Sequence, residues 1–148
     1  MATQDHMDQR VDVWSISISE LRSQRNEFKK ILNQDEEKRS ERFIFEKDRE
    51  NFIVTRGCLR YLISEYTNTL PELVVFSYGT HGKPYLLSKK VHFNLSHAGE
   101  WAIIAIRRGS PVGIDIEEKR SPVKFQWLDL ANRFFSSEEI KALVNLPA

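Results

Sequence analysis

The chain has 148 residues, enough for one ordinary domain with a sizeable core. A net charge of +1 with 29% charged residues gives no overall pull toward nucleic acid or membrane. The single Cys58 excludes an internal disulfide and a cysteine zinc cluster, which makes the reducing cytoplasm the default location; no apolar run approaches a membrane span, and the polar start MATQDHMDQR is no signal peptide.

VDVWSISI, Val11 to Ile18, alternates as a strand with Trp14, Ile16 and Ile18 on one face. Ser19 is placed to cap a helix carrying Leu21, Phe28, Ile31 and Leu32. The charged run Gln34 to Arg42 reads as a solvated helical face or a bend between helices. A longer helix is predicted from about Asp48 to Tyr66. Its core stripe is Phe52, Thr55, Leu59, Leu62, Ile63 and Tyr66, and its other face carries Arg49, Arg56 and Arg60. Pro71 and Glu72 open LVVFSYG, read as another strand, before the loop THGKPYLL. There Gly82 lets the backbone approach a ligand and Pro84 stiffens the exit; Lys83 between them is either an exposed loop lysine or a phosphate contact. His81 reads as a loop residue and His92 as a sheet-surface one.

From Val91 onward the pattern predicts three consecutive strands and hence an antiparallel meander: Val91 to Leu95, the WAIIAI run, and VGIDIE from Val112 to Glu117, with RRGSP as the second hairpin connection. In the last of these Ile114 and Ile116 take one face and Asp115 and Glu117 the other. Two carboxylates so close suit Mg²⁺ shared with phosphate oxygens, or else form the solvated acidic face of an amphipathic strand. Ser96 and His97 close the first strand. A nucleophilic serine is disfavoured, because adjacent strand residues point to opposite faces and no G-x-S-x-G elbow is present.

Beyond Glu118 the chain reads as loop, helix, helix. Ser136 or Ser137 is a natural N-cap for the last helix, with Glu138 and Glu139 in its positive first turn. Phe125, Trp127, Leu128, Phe134 and Phe135 are apolar enough for a core or an exposed docking face.

Taken together, GKP, FNLSH, GIDIE and FFSSEE resemble, in order and spacing, the motifs of the 4'-phosphopantetheinyl transferases of the larger, surfactin-synthetase-activating (Sfp-like) type, over about Arg42 to Ala148. The resemblance implies an α+β fold, a three-stranded or larger antiparallel sheet packed by helices, forming one lobe of a pseudo-twofold pair. It also implies Mg²⁺-dependent transfer of the phosphopantetheine arm of coenzyme A to a serine of an acyl, peptidyl or aryl carrier protein, with release of adenosine 3',5'-bisphosphate. By the same resemblance Asp115 and Glu117 hold the metal, and Glu139 joins them as the acid of the FFSSEE motif. Lys47, Arg56, Lys83, Pro84, Ser96 and His97 bind coenzyme A, with Arg49 an additional basic candidate.

Family members of full length continue into a W-x-x-K-E-A motif, which does not occur here. On this reading residues 1–118 form an N-terminal lobe carrying the coenzyme A and metal motifs, and residues 119–148 are a linker and the incomplete start of a second lobe. The face toward the missing lobe is then partly apolar, which implies self-association of the lone lobe. The alternative function is a non-catalytic module that binds coenzyme A or a carrier protein; neither reading involves nucleic acid or membrane.

Overall fold

The computed structural model describes residues 10–80, 82–118 and 131–145. In chain order the elements are β1 (Val11–Ser17), α1 (Ile18–Leu21), a 3-10 turn (Arg22–Gln24), α2 (Arg25–Lys30), α3 (Gln34–Glu41), α4 (Glu46–Thr67), a second 3-10 turn (Pro71–Leu73), β2 (Ser77–Tyr78), β3 (Pro84–Tyr85), β4 (Val91–Ala98), β5 (Trp101–Arg108) and α5 (Ser137–Val144). The chain forms two compact units, Met1–Glu117 and Glu118–Ala148. In the second unit α5 is closed by a capping box, in which the Ser136 hydroxyl accepts from the Glu139 N–H while the Glu139 carboxylate accepts from Ser136.

The first unit is α+β, a three-stranded antiparallel sheet in the order β1-β5-β4 with helices packed on it, beside a small β2-β3 ribbon. β4 and β5 form a hairpin around Gly99 and Glu100, pairing Ala98 with Trp101, and Gly99 takes φ 58, a conformation that favours glycine. β5 is central, so Ala102, Ile104, Ala105 and Ile106 are all buried. α4 covers one face of the sheet with Ile53, Val54, Leu59 and Ile63, and Phe93 and Ile104 meet it from the strands in one continuous core. No helix among the described residues is long and apolar enough to cross a membrane.

The sheet is not the sequential meander that the hydrophobic pattern predicts. Its third strand is β1, whereas residues 111–118 have no regular secondary structure. Pro111 has no N–H to give to a ladder, and side chains of β4 take over the edge contacts. Asn94 Nδ2 donates to the Ile114 carbonyl at 3.4 Å, and the Ile116 N–H donates to Ser96 Oγ at 3.3 Å. Residues 73–79 likewise form a strand only at Ser77–Tyr78. Val74 and Phe76 do alternate inward, but the Val74 carbonyl is taken by Arg60 rather than by a neighbouring strand. At β1, Ile16 is buried while Trp14, on the sheet edge, is 45% exposed, and Ile18 already belongs to α1. The single helix predicted after Ser19 is instead α1, a 3-10 turn and α2, and Ser17 rather than Ser19 stands at the N-cap.

Two larger differences position the site. Gln34 to Arg42 is neither fully solvated nor a bend, because α3 is a regular helix whose Glu36 is buried at 1% exposure. Arg56 and Arg60 are not on a solvent face; they are 4% and 0% exposed. The three side chains meet. Arg60 Nε donates to Glu36 Oε2 at 2.7 Å, and Arg56 Nε lies 3.6 Å from Glu36 Oε1. Arg60 Nη1 also donates to the carbonyls of Pro71 and Val74, which ties the segment leading to β2 onto α4. Glu36 additionally accepts from the Asn33 N–H in the capping box that starts α3.

At the other end of α4, Glu100 in the hairpin turn accepts from Arg22 Nη2 at 2.6 Å and pairs with Lys47 Nζ at 2.6 Å. The Lys47 hydrogen bond, seconded by the charge of Arg22, holds the Glu100 carboxyl below its ordinary value. Midway along α4, Gly57 is where α2 crosses, and a Cβ there would lie 2.6 Å from Phe28 Cβ.

Three outcomes follow from these contacts. Gly57→Ala gains about 1 kcal/mol of helix propensity but forces Phe28 out of place, for a net loss of about 1–2 kcal/mol in urea denaturation. The loss shrinks when Phe28 is first shortened to Leu. Glu36→Ala leaves two buried guanidiniums without their carboxylate and costs about 3–5 kcal/mol in the same assay; a variant within 1 kcal/mol of the parent would refute the clamp. For Glu100 the folded value is lowered from 4.5, so its contribution is complete above pH 4.5 and is lost as pH falls through the folded value. Glu100→Gln is therefore less stable than the parent at pH 7, and the difference closes in denaturation curves taken progressively below pH 4.5.

Candidate functional site

A cleft of about 940 Å³ opens in the first unit where α3, α4, the β2-β3 loop and the end of β4 converge. Each wall arises from a local feature of the chain. α4 runs along it, so Lys47 in its first turn and Arg56 further along face the same space. The β2-β3 loop is closed by Gly79 N–H donating to the Lys83 carbonyl and Gly82 N–H to the Gly79 carbonyl, with Gly82 at φ 72. This turn presents Lys83 and Pro84 to the cleft. β4 contributes His97 near its end.

The structure thus brings together five of the residues singled out in the sequence: Lys47, Arg56, Lys83, Pro84 and His97. Ser96 is not among the lining residues. It donates from Oγ to Asp115 Oδ1 at 2.5 Å, because successive strand residues face opposite ways. Asp115 and Glu117 are exposed and alternate with half-buried Ile114 and Ile116, so the alternation holds although the strand does not form. Neither acid lines the cleft. Arg49 is also outside it, donating to Glu46 and to the Phe43 carbonyl. Glu139 lies in the second unit, where bonds from Ser136 engage its carboxylate and hold it below the ordinary value. Phe134 and Phe135 are exposed, whereas His81, Phe125, Trp127 and Leu128 lie outside the described residues.

The electrostatics of the cleft come from its floor. Glu36 carries one negative charge against two buried guanidiniums, so the cluster keeps one excess positive charge. Burial pushes Arg56 below its ordinary value, opposed by Tyr78 and Glu36. An arginine remains a cation at neutral pH even so. Arg56 Nη1 is buried with no hydrogen-bond partner among the described residues, so its charge is left without a local acceptor there. Arg39 of α3 also lines the cleft, and with Lys47 and Lys83 it makes the walls cationic. The arrangement is suited to a ligand carrying several phosphates.

A metal is a separate matter. Among the described residues no group of three or more His, Cys, Asp and Glu side chains is placed to hold one. Asp115 and Glu117 offer an exposed pair of oxygen donors, and such a pair fits Mg²⁺, which keeps waters and takes one or two carboxylates together with substrate phosphates.

The sequence pattern does not single out Arg39, Glu36 or Glu100, and it puts Arg60, which is buried, on the solvent face of the long helix. The readable signal was Asn33-x-x-Glu36, a capping-box spacing that starts a helix and makes the charged run helical. Nothing local marks Glu100, whose partners are Arg22 and Lys47 from far along the chain.

Comparison with known proteins shows the family. A family model described as 4'-phosphopantetheinyl transferase, N-terminal, matches residues 14–108. The chain is 33% identical over 145 residues to the 4'-phosphopantetheinyl transferase HetI of Nostoc sp. strain PCC 7120, covering 95% of this chain and 60% of that protein. It is 34% identical over 128 residues to the 4'-phosphopantetheinyl transferase psf-1 of Bacillus pumilus, covering 86% of this chain and 53% of that protein. With the 4'-phosphopantetheinyl transferase Sfp of Bacillus subtilis strain 168 it shares 32% identity over 126 residues, 84% of this chain and 54% of the relative. The chain therefore spans little more than half the length of these relatives. The match over most of the first unit shows that this chain belongs to the 4'-phosphopantetheinyl transferase family, of the Sfp-like type.

Proposed function

We propose that the chain binds coenzyme A in its cationic cleft and serves the Mg²⁺-dependent transfer of the 4'-phosphopantetheine arm to a serine of an acyl, peptidyl or aryl carrier protein, releasing adenosine 3',5'-bisphosphate. One observation carries the reading: Lys47, Arg56, Lys83 and His97 converge on one cleft whose floor holds an excess positive charge. Coenzyme A presents a diphosphate and a ribose phosphate, and guanidinium and ammonium groups grip such anions by charge-assisted hydrogen bonds.

In this reading Arg56 and Arg39 receive phosphate oxygens at the cleft floor and wall, Lys47 and Lys83 neutralise them at the rim, and His97 adds a contact from the sheet. Mg²⁺, when held by Asp115 and Glu117, supplies neutralisation of the charge that develops on the leaving nucleotide. Ser96 keeps Asp115 in place through its hydroxyl. The work of these residues is positioning and electrostatic, as in phosphoryl transfer generally. Supply of coenzyme A places the activity in the cytoplasm, in the service of polyketide, nonribosomal peptide or fatty acid synthesis.

Two measurements test the reading. Calorimetric titration with coenzyme A is expected to show binding that weakens about tenfold in Lys83→Ala and in His97→Ala, both exposed positions whose truncation leaves the core intact. No heat at millimolar coenzyme A would sink it. Mass spectrometry of an apo carrier protein incubated with this chain, coenzyme A and Mg²⁺ is expected to show a phosphopantetheine gain that EDTA and Asp115→Ala abolish. Binding without that gain would instead identify a coenzyme A-binding module.

A further inference from the structure

Three guanidiniums and two rings alternate from the cleft wall, at Arg39, Phe52 and Arg56, into the core at Phe76 and Arg60. Arg39 lies 5.5 Å from the centre of the Phe52 ring and Arg56 5.4 Å from the same centre. Arg56 is also 5.4 Å, and Arg60 5.5 Å, from the centre of the Phe76 ring. The series runs from exposed Arg39 to Arg60, which is fully buried. Glu36 secures its inner two cations, but among the described residues Arg39 has no carboxylate partner. Arg39 is nevertheless close enough to Arg56 to disfavour its charge.

A long side chain in that position would sweep through its rotamers and retreat from its neighbour's charge. The negative face of an aromatic ring counters both tendencies. Phe52 is itself held, its ring 5.5 Å from that of Phe43 and its backbone within α4. We infer that Phe52 is a positioning residue for the cleft, its ring holding the guanidiniums of Arg39 and Arg56 together as a preset pair for a ligand bearing a diphosphate or two phosphate groups. The inference rests on the cleft binding coenzyme A and names what presets it. With the pair preset, the ligand does not have to order two arginines against their mutual repulsion.

The test replaces Phe52 in the full chain by mono-, tri- and pentafluorophenylalanine, which keep the ring's shape while draining its negative face, and titrates each protein with coenzyme A and with inorganic pyrophosphate. Both dissociation constants are expected to climb with fluorination, by about fivefold or more at the pentafluoro ring. Phe52→Leu should match that loss and Phe52→Tyr should bind as the parent does, all titrations being run well below each variant's melting temperature. A flat or tightening series overturns the positioning role while leaving coenzyme A binding by the parent intact. A loss of affinity that vanishes once the variants are titrated at lower temperature, fully folded, overturns it as well, by showing a merely structural ring. If the parent binds neither coenzyme A nor pyrophosphate, the cleft reading fails and this inference fails with it.

Discussion

The carboxylate of Glu36 is the point on which the first unit turns. It sits in a helix of eight residues that has little apolar surface of its own, with Glu36 and Ser40 its only buried members. What holds that helix to the domain is charge: Arg60 and Arg56, both on α4, reach the same carboxylate. Ions so buried are stable only when each is paired and hydrogen-bonded, and removing one partner leaves the others stranded in a medium that solvates them poorly. Glu36 answers two cations at once and also closes the cap of its own helix. Its displacement would free α3 and expose the floor of the cleft together.

The same contact extends to the segment that enters β2. Arg60 spends its Nη1 on the carbonyls of Pro71 and Val74, so the segment that enters β2 is anchored to α4 by a side chain rather than by a ladder. Its alternation buries Val74 and Phe76, and Phe76 packs edge-on against Phe93 of β4. Two of the cleft walls and the segment entering β2 therefore share one foundation, since α3, α4 and Pro71 to Val74 all meet at Glu36 and Arg60. One carboxylate against two guanidiniums leaves the foundation cationic. A second acid there would neutralise the cluster and remove its excess positive charge.

Much of this could be read from the chain beforehand. The long helix, the β4 and β5 strands and the α+β class follow from periodicities that tertiary contacts reinforce, because Leu59, Ile63, Phe93 and Ile104 are apolar where their element's period needs them to be. The Gly82-Lys83-Pro84 turn was legible for a local reason too, since glycine's positive φ and proline's rigidity act within three residues. What escaped depends on pairing at long range. Arg56 and Arg60 look like solvent-facing arginines until Glu36 is known to lie opposite, and 24 residues separate Glu36 from Arg60. Val112 to Glu117 has the alternation of a strand, yet strand formation also needs a free ladder, and Asn94 and Ser96 meet that edge with side chains instead. β1 joins β5 across most of the unit, a pairing that no local pattern announces.

The end of β4 explains how adjacent residues come to serve different parts of one site. An extended chain turns successive side chains to opposite faces. His97 consequently lines the cleft while Ser96, one residue earlier, donates to Asp115 and accepts from the Ile116 N–H on the far side. At the strand end His97 thus stands on the cleft side and Asp115 on the other. Separation of this kind matters because Asp115 and Glu117 inside the cleft would cancel the charge of Arg56 and Lys83 and weaken any anion bound there. The Ser96-His97 dipeptide is thus best understood as two contacts facing opposite ways, and an extended backbone is what lets neighbours in sequence do so.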